Sequence, residues 1–103
     1  GLTSLHRACQ QGYDEIAAYL LDSGALVNKS SRDSDTPLIL ASYCKRLNCV
    51  KLLLERKADT AATSNDGGWR GKTALDIAKE KKFDDIVKLL ATAVSQARSR
   101  LRI

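Results

Sequence analysis

One sentence of residue chemistry occurs three times in this chain: Thr3-Ser4-Leu5-His6-Arg7-Ala8, Thr36-Pro37-Leu38-Ile39-Leu40-Ala41 and Thr73-Ala74-Leu75-Asp76-Ile77-Ala78. Each is a helix start. The threonine hydroxyl can accept from a backbone N–H one turn on. Pro37 stands at a first helical position, where its missing N–H costs nothing. The Leu and Ala three residues apart share a face. Thr3 and Thr36 are 33 positions apart, Thr36 and Thr73 are 37, so the second interval carries four extra residues. A period of this length restricts the chain to a repeat architecture before any other feature is weighed.

The period extends past the first helix. Ile16-Ala17-Ala18-Tyr19-Leu20-Leu21 aligns with Cys49-Val50-Lys51-Leu52-Leu53-Leu54 and with Ile86-Val87-Lys88-Leu89-Leu90-Ala91. Each unit is therefore a short helix, a tight turn and a second apolar helix, followed by a polar connection. One helix pair cannot bury both of its sides. Each buried Leu or Ile is worth roughly 1.5–3 kcal/mol against ~1–2 kcal/mol for ordering a backbone residue, so the units must stack.

These residues resemble the ankyrin repeat, whose signature runs Thr-Pro-Leu-His-x-Ala-Ala, Gly, an apolar Val-x-x-Leu-Leu helix and Gly-Ala-Asp. Thr3 to Ala8, Gly12 and Leu20-Leu21-Asp22-Ser23-Gly24-Ala25 carry it in the first copy; Thr36-Pro37-Leu38, Leu53-Leu54 and Ala58-Asp59 in the second; Thr73-Ala74-Leu75, Ala78 and Ile86-Val87 in the third. The resemblance implies an all-α fold, a helical solenoid of three helix-turn-helix repeats with projecting hairpin fingers. The repeats fall at about 1–28, 29–61 and 62–97, with a basic tail at 98–103. The chain starts inside a repeat and holds no Met, as expected of a piece cut from a longer protein.

Three details of the course matter. Helix one is expected from Thr3 to about Gln11, ended by a left-handed Gly12. Lys45 and Lys82 stand where Gly12 does, and Lys57 where Gly24 does, so three lysines are expected in left-handed turns. The second helix of the first unit, opened by Asp14-Glu15 against the helix dipole, should bury Ile16, Tyr19, Leu20 and Ala17. Its counterpart should bury Cys49, Val50, Leu52 and Leu53. The last helix should run from 84 to about 97 on a stripe of Val87, Leu90, Ala91, Val94, Ala97 and Leu101, with Ser99 to Ile103 frayed or held by a partner.

Composition excludes several classes. No run of ~18 apolar residues exists for a membrane span, and the start lacks a secretory pattern. Cys9, Cys44 and Cys49 are odd in number and irregular in spacing, which points to reduced, separately placed thiols in an intracellular protein rather than a disulfide framework. His6 with the cysteines does not make a zinc set, since the four are split between two repeats. No cofactor is expected. Gly71-Lys72-Thr73 looks like the end of a phosphate loop, but Asp66 occupies the place of the required first glycine. His6 has no nucleophile or acid at catalytic spacing, and the resemblance gives it a hydrogen bond between neighbouring repeats. Asp84-Asp85 read as helix-start charges, not paired catalytic carboxylates. The chain reads as a binding module without catalysis of its own.

The formal net charge is +5. Residues 1–68 balance eight basic against eight acidic side chains, so the excess belongs to residues 69–103. This suits a protein partner with an acidic patch; nucleic acid is not expected, and a membrane only through the tail. The resemblance places partner-binding positions at fingertips and at the exposed ends of first helices: Leu2, Gln10 and Gln11; Arg32, Asp33, Asp35, Tyr43 and Cys44; Trp69, Arg70, Lys72, Glu80 and Lys81. Trp69, the one tryptophan, sits among Gly67, Gly68 and Gly71. It is expected as a fingertip anchor, with Arg70 and Lys72 selecting an acidic rim. The competing reading has the four extra residues folding back to lay the ring on the second repeat. Two other functions stay open: a regulatory or targeting part of a larger enzyme, and an anionic-surface binder acting through Arg98, Arg100 and Arg102.

Overall fold

The computed structural model describes residues 2–101, with side chains over 2–97. Six helices follow one another: α1 (Ser4–Gln11), α2 (Asp14–Asp22), α3 (Pro37–Tyr43), α4 (Leu47–Glu55), α5 (Ala74–Lys81) and α6 (Asp84–Leu101). Helices α1, α3 and α5 pack side by side as an inner layer, and α2, α4 and α6 as an outer one. Each inner helix also packs on the outer helix of its own repeat. The described residues thus form an all-α solenoid of three repeats.

The threonines act as the sequence requires. Thr3, Thr36 and Thr73 are extended at the caps, and each hydroxyl accepts from the backbone N–H three residues on. Thr3 with His6, and Thr73 with Asp76, complete reciprocal capping boxes.

The tight turns explain the left-handed lysines. After α1, α3 and α5 the backbone N–H of Tyr13, Arg46 and Phe83 returns to the carbonyl of Ala8, Ala41 and Ala78, at 2.9, 2.8 and 3.0 Å. After α2 and α4 the N–H groups of Ala25 and Ala58 return to Leu20 and Leu53 at 2.9 and 3.0 Å. Such a bond requires the preceding residue to be left-handed. Gly12 and Gly24 meet this freely, at φ 82° and 102°. Lys45, Lys57 and Lys82 meet it at φ 59°, 66° and 59°, as expected. Gly12 has a further constraint, because a Cβ there would lie 2.9 Å from Cδ of Arg46.

The two connections form fingers from one plan. In the first, Ser31 N–H donates to Asp35 O (2.9 Å) and Ser34 N–H to Ser31 O (2.9 Å). In the second, Ser64 N–H donates to Lys72 O (2.9 Å) and Gly71 N–H to Ser64 O (2.8 Å). Ser34 and Gly71 are both left-handed, at φ 64° and 78°. The four extra residues therefore lie between Ser64 and Gly71, where Gly67–Trp69 winds into a single 3₁₀ turn. Thr63 and Thr73 pair as an antiparallel bridge at the base of this finger.

The core runs between the layers, through Leu5, Ala8 and Cys9, then Leu38, Ala41, Val50 and Leu53, then Ala74, Ile77, Ile86 and Leu90. Two expected members are absent. Ile16 is 53% exposed and Tyr19 71%. The counterparts of Ile16, Cys49 and Ile86, are 0% and 1% exposed, and those of Tyr19, Leu52 and Leu89, are half-buried, because α4 packs on α2 and α6 on α4, whereas no described element covers that face of α2. The buried side of α2 is Ala17, with Leu20 and Leu21 half-buried.

Helix α6 extends to Leu101, past the expected end near residue 97. No Gly or Pro interrupts it, so nothing stops the backbone bonding from continuing. Its buried face is Ile86 and Leu90, then Ala93 and Val94, which are half-buried; Ala91 and Ala97, expected on the stripe, are exposed. Their counterpart Leu101, and the residues Arg98, Arg100, Arg102 and Ile103, lie outside the described side chains. Cys9 and Cys49, expected apart, sit together: both are buried, and the neighbouring Cys49 thiol, with burial, pushes Cys9 up. All three described cysteines are free thiols.

Candidate functional site

A cleft of about 300 Å³ lies between the fingers and the inner helices. Its floor comes from α3 and α5. Ile39 and Tyr43 are four residues apart on α3 and so share a face; Leu40 and, from α5, Ile77 adjoin them. Its walls are the two fingers, with Ser31, Arg32, Asp33 and Asp35 on one side and Ser64, Asp66 and Trp69 on the other. Leu2 and Gln10 close the end at the first repeat.

A chain of hydrogen bonds holds these walls in place. His6 is fully buried. Its Nδ1 accepts from the Thr3 N–H at 3.1 Å, so its proton is on Nε2, which donates to the Asp35 carbonyl at 2.9 Å. The imidazole thereby ties α1 to the first finger and performs the inter-repeat role expected of it. Ser64 Oγ–H donates to Asp35 Oδ1 at 2.6 Å, and the Asn65 N–H donates to the Asp33 carbonyl at 2.8 Å. These last two bonds join finger to finger. Farther along the inner layer, Arg46 Nε donates to the Gln10 carbonyl at 3.0 Å.

Trp69 is not a projecting tip. Its ring is half-buried and meets Tyr43 edge-on, with centroids 5.7 Å apart and planes at 82°. The four-residue insertion turns the loop back and lays the indole on the second repeat, and the fingertip reading is corrected accordingly. An edge-to-face pair of this kind adds ~0.5–1.5 kcal/mol beyond the area it buries. Lys81 reinforces it. Its Nζ lies 4.5 Å from the Tyr43 centroid, 5.8 Å from Trp69 and 5.6 Å from Phe83. The cation is thus held by three π faces.

Of the thirteen residues singled out from the sequence, Leu2, Gln10, Arg32, Asp33, Asp35, Tyr43 and Trp69 line this one cleft. The other six do not. Gln11 and Arg70 are exposed. Lys72 Nζ and Glu80 form an ion pair at 3.1 Å. Lys81 is engaged with the rings, and Cys44 caps α3, where burial pushes its thiol up. Asp66, Ser64, Ile39, Leu40 and Ile77 line the cleft without having been singled out. Asp66 could have been found, because it directly precedes the inserted turn; the apolar floor reads in the sequence only as core.

The electrostatics of the cleft centre on Asp35. Burial raises its carboxyl above the usual range, the Ser64 bond opposes this, and the nearby carboxylates of Asp66 and Asp33 raise it further. The Asp35 carboxyl therefore senses Asp33 on its own finger and Asp66 on the other. Among the described residues no group of three or more His, Cys, Asp or Glu side chains is placed to hold a metal. No described helix is long and apolar enough to cross a membrane.

A family model described as ankyrin repeats, in three copies, matches residues 5–99. The chain is 37% identical over 95 residues to an ankyrin repeat protein of Rickettsia bellii, covering 86% of this chain and 39% of that one. It is 34% identical over 90 residues to the human transient receptor potential cation channel subfamily A member 1, covering 87% of this chain and 8% of the channel. It is 35% identical over 101 residues to human BCL-6 corepressor-like protein 1, covering 97% of this chain and 5% of that protein. The chain thus spans 39% or less of the length of these three relatives.

Proposed function

The chain belongs to the ankyrin-repeat family, and on that premise we propose that it recognises another protein, through the cleft between the fingers and the inner helices. Ankyrin repeats are in general protein-interaction modules, and their stacking makes extended concave surfaces. The observation that carries the reading is the Tyr43–Trp69 pair. Two aromatic rings are pre-set by Lys81 and by an inserted turn at the edge of an apolar floor. Tyr and Trp are the residue types that most often anchor interfaces, and rings already ordered lose little freedom on binding.

Within the relatives' lengths, the chain would serve as the recognition part of a longer protein. That includes the case of a regulatory or targeting part of an enzyme.

The test is site-directed photo-crosslinking in the source cell. Benzoylphenylalanine replaces either Tyr43 in the cleft or Lys51, which is exposed on the outer layer. A protein adduct from position 43, competed by excess unlabelled chain and absent at position 51, is the expected result. Adducts at 51 and none at 43 would move the site to the outer layer and overturn the reading.

A further inference from the structure

The partner's chemistry is written in the walls of the cleft. Resting on the reading above, we propose that the cleft takes a cationic side chain, Arg or Lys, from an extended partner segment, with an adjacent apolar residue against the edge of the floor where Tyr43 and Trp69 meet. This reverses the preference that the chain's overall charge suggests.

The net charge of +5 lies in residues 69–103; of its members nearest the cleft, Arg70 is exposed and outside the lining, and two lysines are already engaged. Lys72 is paired with Glu80 at 3.1 Å, and the Lys81 ammonium is held by Tyr43, Trp69 and Phe83. Neither lysine lines the cleft. The lining itself carries three carboxylates, on Asp33, Asp35 and Asp66, against the single guanidinium of Arg32. The carboxylates of Asp33 and Asp66 make no hydrogen bond and no ion pair among the described residues; only their backbone groups bond, the Asp33 carbonyl accepting from Asn65 N–H, the Asp66 carbonyl from Trp69 N–H, and the Asp66 N–H donating to Ser64 Oγ. They are not used by the fold. They nevertheless stand close enough to disfavour the charge on Asp35. A guest cation relieves that repulsion, which an acidic partner would increase.

Geometry agrees with charge. The finger-to-finger bonds, Ser64 to Asp35 at 2.6 Å and Asn65 to the Asp33 carbonyl at 2.8 Å, fix the spacing of the carboxylates before a ligand arrives. Beside them is the apolar floor of Ile39, Leu40 and Ile77, on which the stem of a Lys or Arg side chain can lie. A volume of about 300 Å³ has room for one long side chain and a neighbour.

The test is selection of displayed random dodecapeptides on the immobilised chain, followed by titration of the winners with Trp69 fluorescence, since Trp69 is the one tryptophan. Asp33→Asn/Asp66→Asn is the comparison variant. It should fold as the parent does, because neither carboxylate holds a structural bond; circular dichroism checks this. The expected winners carry Arg or Lys next to an apolar residue, shift the Trp69 emission, and bind the variant roughly three- to tenfold more weakly, as for two surface ion pairs lost. Winners rich in Asp or Glu that still shift Trp69 would overturn the cationic preference and leave the cleft reading standing. Basic winners that bind the variant equally well would overturn the role of the carboxylates. If no peptide shifts Trp69, the proposal fails, and the crosslinks from positions 43 and 51 decide separately whether the cleft reading falls with it.

Discussion

Replacing Lys57 with glycine should make the protein more stable, although it deletes a whole side chain. Lys57 sits at φ 66° between α4 and Ala58, whose N–H closes the turn onto the Leu53 carbonyl at 3.0 Å. An L-residue in this region carries ~1–2 kcal/mol of strain. Glycine removes it but adds freedom to the unfolded chain, a counter-cost of ~0.5–1 kcal/mol. The side chain is exposed and holds no hydrogen bond or ion pair among the described residues, so little else is lost. The net gain is ~0.5–1 kcal/mol, equivalent to about 2–8 °C in melting temperature for a domain of this size. Lys82→Gly, at φ 59°, should behave alike. Lys45→Gly, also at φ 59°, should gain less, because the Lys45 ammonium lies 5.5 Å from the Phe83 centroid and that contact is lost. The assay is thermal unfolding by circular dichroism at pH 7 for the three single variants and for Lys57→Gly/Lys82→Gly, whose effects should add, the two sites being in different repeats. A lower melting temperature for Lys57→Gly, or a gain at Lys45 larger than at the other two, would refute the strain argument.

Ile16→Ala should cost under ~1 kcal/mol and Ile86→Ala ~2–5 kcal/mol in urea unfolding, although the two stand at equivalent repeat positions, because one is 53% and the other 1% exposed. Asp35→Asn should raise the melting temperature at neutral pH. Burial raises the Asp35 carboxyl in the folded state, so its ionisation opposes folding above that raised value and does not below the ordinary aspartate value of 3.8; melts across the acid range should show the advantage of Asn vanishing as pH falls, and a constant difference would count against it. Truncation after Ala91 should lower stability by ~1 kcal/mol, the worth of half-burying Ala93 and Val94, and an unchanged urea midpoint would show that the end of α6 adds nothing.

What the chain alone determined is everything that acts within a turn or two of backbone. Thr3, Thr36 and Thr73 cap the helices they precede, since an N-cap needs only its own neighbours. The left-handed lysines were legible because Gly12 and Gly24 mark the same positions in the first repeat. The stack itself follows from the period, and so does the approximate place of the cleft: Tyr43 and Asp35 fall at the end of a first helix and at the base of a finger wherever the repeats stack.

Tertiary structure decided what depends on the next layer. Ile16 and Ile86 look alike in sequence, but only Ile86 has a neighbouring helix over it. Cys9 and Cys49 are forty positions apart, and only the packing of one repeat on the next brings the thiols together. A glycine-rich insertion can point anywhere; whether Trp69 projects or folds back depends on the surface available to it, and Tyr43 with Lys81 supplied that surface. The sign of the cleft was hidden for the same reason. Net charge adds every side chain equally, whereas a binding surface senses only the charges left unpaired around it. Stacking pairs Lys72 with Glu80, seats Lys81 on the rings and leaves Asp33 and Asp66 free along the wall.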